Sequence, residues 1–202
     1  MDKHFWDGRY GEPGFAYGTE PNAYLVAQKG RLRPGMRALA VGDGEGRNGV
    51  WLAHQGLEVL SVDASAVGLD KARALAAEHG VELATECVDL REWQWPKASY
   101  DVIAAIFVHF PPDHRAELHR AMFEALAPGG LLILEAFTPE QLGRGSGGPP
   151  VAEMLYTPGL LRGDFPEAEC VEMSTAEVDL DEGPYHRGRA AVLRAVLRRP
   201  GA

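Results

Sequence analysis

From about residue 36 onward, short apolar runs alternate with stretches whose apolar positions recur at helical spacing. That alternation predicts βα units around a parallel sheet. The first run, Met36 to Val41, reads as a buried strand and is followed at once by glycines. Helical spacing covers about Asn48 to Gln55 and stops at Gly56. A second strand, Glu58 to Val62, ends on Asp63. Ser65 stands at an N-cap position for a helix that runs through His79, with Gly80 as its stop. Leu69, Ala72, Leu75 and Ala76 form its apolar face. A third strand, Glu82 to Val88, leads to Asp89, and a fourth, Asp101 to Val108, is rich in Val and Ile. Asp113 is expected to cap the next helix, which carries Leu118, Met122, Ala125 and Leu126 on one side. Pro128-Gly129-Gly130 predicts a turn, and Leu131 to Phe137 a fifth strand.

Residues 139–158 break the pattern with four glycines and the pair Pro149-Pro150. A lid, a binding loop or a disordered segment is expected there. Two strand-like segments follow, Glu169 to Val178 and Ala190 to Arg198, around the turn signal Asp181-Glu182-Gly183-Pro184. So short a connection makes them antiparallel, because a parallel pair needs a long crossover. If the first of them runs parallel to the rest, the hairpin tip, Asp181 to Gly188, lies at the carboxyl edge of the sheet. Ligands of such sheets bind at that edge.

With 202 residues and 46% hydrophobic content, one domain is expected. Its parts read as an N-terminal lid segment (1–30), a cofactor-binding core (36–137), a substrate-side loop (139–165) and a C-terminal hairpin (168–199). The net charge of −9 argues against a nucleic-acid partner, although Arg187, Arg189, Arg194, Arg198 and Arg199 make the last segment more basic. Cys87 and Cys170 have no Cys or His at metal spacing and are expected to be two buried thiols; no metal site is expected. Neither a signal-peptide core nor a membrane-span run is apparent, so a cytoplasmic location is expected.

The candidate chemistry lies in Val41-Gly42-Asp43-Gly44-Glu45-Gly46-Arg47-Asn48, which joins the first strand to a helix. Glycines there let the backbone approach a ligand, and the helix N-terminus offers free N–H groups. Asp63, ending the next strand, has the spacing of a carboxylate that accepts from both ribose hydroxyls. Together they predict a nucleoside-containing ligand over the strand ends. Gly44 to Gly49 also spells GxGxxG, the dinucleotide fingerprint. Counted from Gly42 at the strand end, however, the third glycine falls at Arg47, whose bulk blocks a pyrophosphate.

This pattern resembles the class I S-adenosylmethionine-dependent methyltransferases over about residues 36–199. The resemblance implies a Rossmann-like, doubly wound, mostly parallel seven-stranded sheet of order 3-2-1-4-5-7-6, with strand 7 antiparallel. It implies S-adenosylmethionine as cofactor. Gly42, Gly44 and Gly46, with Asp43 and Arg47, match the turn under the methionine part. Asp63 and Ala64 match the ribose site, and Asp89-Leu90 the adenine site. Ile106 and Phe107 fall where the fourth strand meets the sulfonium. Leu126-Ala127-Pro128-Gly129-Gly130 matches the turn before strand five. One departure is Ala40, where many members carry an acid; Asp43, Glu45 or backbone carbonyls are the candidate substitutes.

Within that superfamily the chain is similar to the tellurite-resistance and thiol methyltransferase group. The stretches WDGRYGEPGFAYGTEPN, GEGRN, GGPPVAEML and EGPYHRGRAAV carry the likeness. The resemblance implies a small-molecule acceptor, such as a thiol or tellurite or selenite, and an N-terminal segment folded over the cofactor, with Tyr17 as its contact. His186, His109 and Arg187 are the candidate catalytic residues: the histidines as bases or orienting groups, Arg187 as an anion holder. Two alternatives stand beside this one, a nicotinamide-dependent oxidoreductase using Gly44, Gly46 and Gly49, and a nucleotide-binding regulator without catalysis. The sequence leaves the oligomeric state open.

Overall fold

The computed structural model describes residues 3–201. Its elements are α1 (Lys3–Tyr10), α2 (Ala23–Ala27), β1 (Arg37–Val41), α3 (Arg47–His54), β2 (Glu58–Asp63), α4 (Ala66–Glu78), β3 (Ala84–Cys87), β4 (Tyr100–Ile106), α5 (Pro112–Ala125), β5 (Leu126–Phe137), α6 (Pro158–Asp164), β6 (Glu169–Asp181) and β7 (Arg187–Arg198). The strands form one sheet in the order β3-β2-β1-β4-β5-β7-β6. The first five are parallel, and β7 is antiparallel to both β5 and β6. The expected order and the single reversed strand are therefore found. Because β6 runs parallel to β5, the hairpin tip lies at the carboxyl edge of the sheet.

Alternate residues of the central strands enter different cores, as the period of two requires. Leu39, Val41, Ile103, Ala105, Leu132 and Leu134 pack with Leu118, Met122 and Phe123 of α5 and Leu161 of α6. Ala38, Ala40, Val102, Ala104, Leu131 and Ile133 pack with Leu52 of α3 and Leu25 of α2. Burial on both faces explains why these strands read as continuous apolar runs.

Local chemistry sets the boundaries. Ser65 caps α4 by accepting from the Gly68 N–H, as expected. Asp113 does not cap α5: Pro111 holds that position and Pro112 opens the helix. Proline suits a first turn because its missing N–H would lack a partner there, and Asp113 instead sits within that turn. β3 is shorter than predicted and mostly exposed, as befits an edge strand with one neighbour. β4 stops two residues early because Phe107 turns into the left-handed region at φ +56°. Both hairpin strands are longer than expected. Residues 139–158 hold short 3-10 turns at Pro139–Gln141 and Ala152–Met154, and Pro158 opens α6, a helix the sequence reading missed. Cys87 and Cys170 are exposed, not buried, because both lie on the edge strands β3 and β6. Among the described residues, no helix is long and apolar enough to cross a membrane.

Candidate active site

The carboxyl ends of the parallel strands open into a cavity of about 660 Å³. Gly42, Asp63, Asp89, Ile106 and Phe137 contribute to its floor. Its roof comes from α1 and the following loop, through Phe5, Trp6, Arg9, Tyr10 and Tyr17. Gly145 to Pro150 and the hairpin residues Tyr185 and His186 close the far side.

Asp63 lines this cavity while its two oxygens accept backbone N–H groups, Oδ2 from Gly44 at 2.9 Å and Oδ1 from Ser65 at 2.8 Å. These bonds fix the carboxylate, and each oxygen keeps a lone pair for a ligand. Burial pushes its pKa up to about 6, against the pull of those backbone donors. Asp89 also lines the cavity. Arg91 grips it with its guanidinium and backbone N–H and holds the carboxyl down at about 2. Ala64 and Leu90 complete that wall.

The two side chains that could substitute for the acid missing at Ala40 both line the cavity and both also hold the fold together. Asp43 accepts from Ser61 Oγ at 2.8 Å and from the Gly49 N–H, satisfying a free donor in the first turn of α3. Burial lifts its pKa to about 7. Glu45 accepts from the Ala16 N–H at 2.7 Å and pairs with Lys71 at 2.9 Å, docking the N-terminal segment.

The glycine turn divides its work. Gly42 lines the cavity, whereas Gly44 and Gly46 do not. A Cβ on Gly44 would lie 2.5 Å from Tyr10 Oη, and one on Gly46 2.5 Å from Ala72 Cβ. These two glycines admit the lid and α4. Of the three glycines expected at the cofactor, Gly42 alone lines the cavity.

The lid is an aromatic stack. Trp6 stacks on Tyr10 at 5.5 Å, and Tyr17 meets Tyr10 edge-on at 6.4 Å. Tyr17 also contacts the His186 ring at 4.4 Å and receives a hydrogen bond from Arg9 at 3.0 Å. Phe15 of the same segment lies elsewhere, against Val50, Leu75 and Ala76.

His186 is buried and lines the cavity between Tyr17, Phe107 and Phe137. His109 lines it too, but both of its nitrogens are engaged. Nδ1–H donates to the Met154 carbonyl at 2.7 Å, and Nε2 accepts from the Phe137 N–H at 3.1 Å. Burial lowers its pKa to about 4. His109 is thus a neutral latch joining β5 to the 152–154 turn, with no lone pair free to take a proton. The Arg187 side chain is three-quarters exposed, lies 3.6 Å from Asp181 and does not line the cavity, because its strand position faces solvent.

Sequence reasoning singled out Arg47 for the cofactor turn but missed its buried partners behind His186, namely Glu182, Asn22, Glu135 and Arg194. Arg47 lines the cavity and pairs with Glu182 at 2.8 Å. Asn22 bridges Glu182 and Glu135, and Arg194 closes on Glu135 at 2.6 Å. An acid inside a turn otherwise made for reversal was the available signal for Glu182. Phe107 was recognised by position but not by its strained φ, which is held by stacking on Phe137 at 4.5 Å.

This sheet order, with an acid ending the second strand, is the one expected for a Rossmann-like methyltransferase fold. Residues 38–130 match the family model of a methyltransferase domain. The ribosomal protein L11 methyltransferase of Symbiobacterium thermophilum is 31% identical over 130 residues, 60% of this chain and 40% of that protein. A protein from the conversion of a disulfide bond into a thioacetal group during echinomycin biosynthesis superposes with a TM-score of 0.79 at 16% identity, covering 99% of this chain and 93% of that one. TehB from Haemophilus influenzae superposes at 0.72 and 16% identity, covering 98% of this chain and 66% of that one. At those identities the two structures speak for the fold alone. The chain covers 40% to 53% of the length of curated relatives it matches. The stretch matched by the family model, just under half of the chain, is similar to a methyltransferase domain.

Proposed function

We propose that the protein transfers a methyl group from S-adenosylmethionine to a small acceptor, a thiol or a chalcogen oxyanion such as tellurite or selenite. The carrying observation is Asp63, fixed by two backbone donors at the end of β2 and open to a cavity under an aromatic lid. Asp63 accepts from the ribose hydroxyls, Asp89 and Leu90 face the adenine, and Gly42 lets the backbone approach. The bound cofactor supplies a methyl group already activated by its sulfonium. The aromatic roof favours that cation and keeps water out. The chain's remaining task is alignment of donor and acceptor.

A small acceptor suits a cavity closed by the lid and by Gly145 to Pro150. The L11 methyltransferase among the relatives motivates a second reading, a protein acceptor. It requires the lid to open wide enough for a side chain on a folded partner. Cytoplasm is the proposed location, where both exposed thiols stay reduced.

Thermal unfolding with S-adenosylhomocysteine tests the reading. At a hundredfold excess over Kd, a ligand stabilises the fold by about 2.7 kcal/mol. That corresponds to a rise of roughly 5–10 °C for a chain of this size. NADH at the same concentration is expected to leave Tm unchanged. A rise with NADH alone would return the oxidoreductase reading.

A further inference from the structure

We propose that Glu182 positions His186 as the proton acceptor for an uncharged, protic, apolar methyl acceptor, and that the cavity is built for such a molecule instead of an oxyanion. The inference rests on the methyltransferase reading above.

His186 Nδ1 is buried and, among the described residues, has no hydrogen-bond partner. A buried polar atom of that kind needs an explanation. Its nearest acceptor is Glu182 Oε2 at 3.6 Å, a few tenths of an ångström beyond a hydrogen bond. Glu182 is held by Arg47 at 2.8 Å and Asn22 at 3.0 Å. Its carboxyl is held down at about 2, so it only accepts. Beside such a neighbour the imidazole carries its hydrogen on Nδ1, which leaves the Nε2 lone pair free. The ring lines the cavity. Gly147 packs against the Nε2 edge of the ring, where a Cβ would lie 2.6 Å from Cδ2 and 3.1 Å from Nε2, so only glycine leaves the imidazole its place.

The charges that face His186 come from several elements. Glu182 lies on its own turn, Arg47 on α3, Arg9 on α1, Tyr17 on the following loop and His109 beyond β4. Burial and the arginines lower the pKa of His186, and Glu182 opposes them without reversing the shift. The ring is therefore neutral at neutral pH and able to take a proton. The acceptor's S–H or O–H proton moves to Nε2, and the electron pair of that bond stays on the acceptor atom. The imidazolium rests against Glu182 until water takes the proton.

Substrate class follows from the cations. Arg9 donates to Tyr17 and covers the Tyr185 ring at 3.8 Å, Arg47 pairs with Glu182, and Arg91 pairs with Asp89. Every arginine lining the cavity is engaged, and no lysine lines it. Phe110, Leu118, Pro149 and Met154 extend the apolar wall. Arg9 alone lacks a carboxylate partner among the described residues, and its guanidinium is engaged by Tyr17 and the Tyr185 ring, so the wall offers an acceptor more apolar surface than free cation.

Two experiments test this. Nitrogen-15 NMR of the imidazoles in the full chain is expected to show His186 protonated at Nδ1 and bare at Nε2 between pH 7 and 8. Glu182→Gln should lose that preference and lower the His186 pKa further. Because Glu182→Gln also breaks the Arg47 pair and can unfold the tip, His186→Gln serves as the second variant. It should bind S-adenosylhomocysteine within about threefold of wild type. With phenylmethanethiol as probe below pH 8, its kcat should fall by about 10²–10⁴-fold at nearly constant KM. Wild-type kcat should rise with pH to a plateau set by His186, and selenite should not be turned over. A hydrogen on Nε2, an unchanged kcat in His186→Gln, turnover of selenite but not of phenylmethanethiol, or turnover of neither by protein that binds S-adenosylhomocysteine would each overturn the proposal. Failure to bind S-adenosylhomocysteine would instead count against the methyltransferase reading.

Discussion

Gly44→Ala is expected to unseat the lid. Gly44 sits at φ +57°, and an added Cβ would fall 2.5 Å from Tyr10 Oη and 2.8 Å from Cζ. Tyr10 is 4% exposed and is also hemmed in by Gly68, where a Cβ would meet its ring at 2.8 Å. The ring cannot slide aside, so it leaves the cradle. A left-handed alanine costs about 1–2 kcal/mol. Exposing the Tyr10 ring costs a further ~1.5–3 kcal/mol. Urea unfolding should therefore show a loss of about 3–5 kcal/mol. Tyr10→Ala alone should cost about 3–5 kcal/mol. In the double variant the new methyl occupies the space left by the ring, and only the backbone cost adds. The single losses should then exceed the double loss by roughly 1.5–3 kcal/mol. Amide exchange over residues 3–10 should quicken in Gly44→Ala. Singles that add within about 0.5 kcal/mol, or unchanged exchange in α1, would refute the cradle.

Two further outcomes follow from buried ionisable groups. The Asp63 carboxyl, raised to about 6, binds ribose hydroxyls best when ionised, so affinity for S-adenosylhomocysteine should be flat above pH 6 and fall about tenfold per unit below it; titration calorimetry from pH 5 to 8 with a flat wild-type profile would contradict this. His109, lowered to about 4 by burial, takes its proton more readily when unfolded, so its contribution is present above its ordinary pKa of ~6.5 and lost as pH falls toward 4, about 3 kcal/mol in all. His109→Ala should lose roughly 2–4 kcal/mol at pH 7, from the orphaned Phe137 N–H and the void, and show less of that acid-side decline in urea unfolding.

The sheet was legible because its chemistry is local. Strands buried on both faces read as apolar runs, and Asp63 and Asp89 follow theirs at the spacing a nucleoside requires. The short hairpin turn forced β7 to reverse. Boundaries were less legible because single residues set them: Phe107 by its φ, Pro112 and Pro158 by their missing N–H. The glycine turn was located, but sequence does not say that the space beside Gly44 receives Tyr10. His109 and His186 were equal candidates in sequence. Contacts far along the chain separate them, Met154 and Phe137 for one, Glu182 and Arg47 for the other. Arg187 was placed one residue from the site, and alternation along the strand carried it outward.

The most direct measurement is isothermal titration of the purified protein with S-adenosylhomocysteine, with NADH as control and Asp63→Ala as variant. Loss of two hydrogen bonds to a carboxylate costs about 3–6 kcal/mol, or more than a hundredfold in affinity. Micromolar binding of S-adenosylhomocysteine alone, lost in Asp63→Ala, is the result predicted. Binding of NADH instead, or equal affinity in the folded variant, would contradict the account.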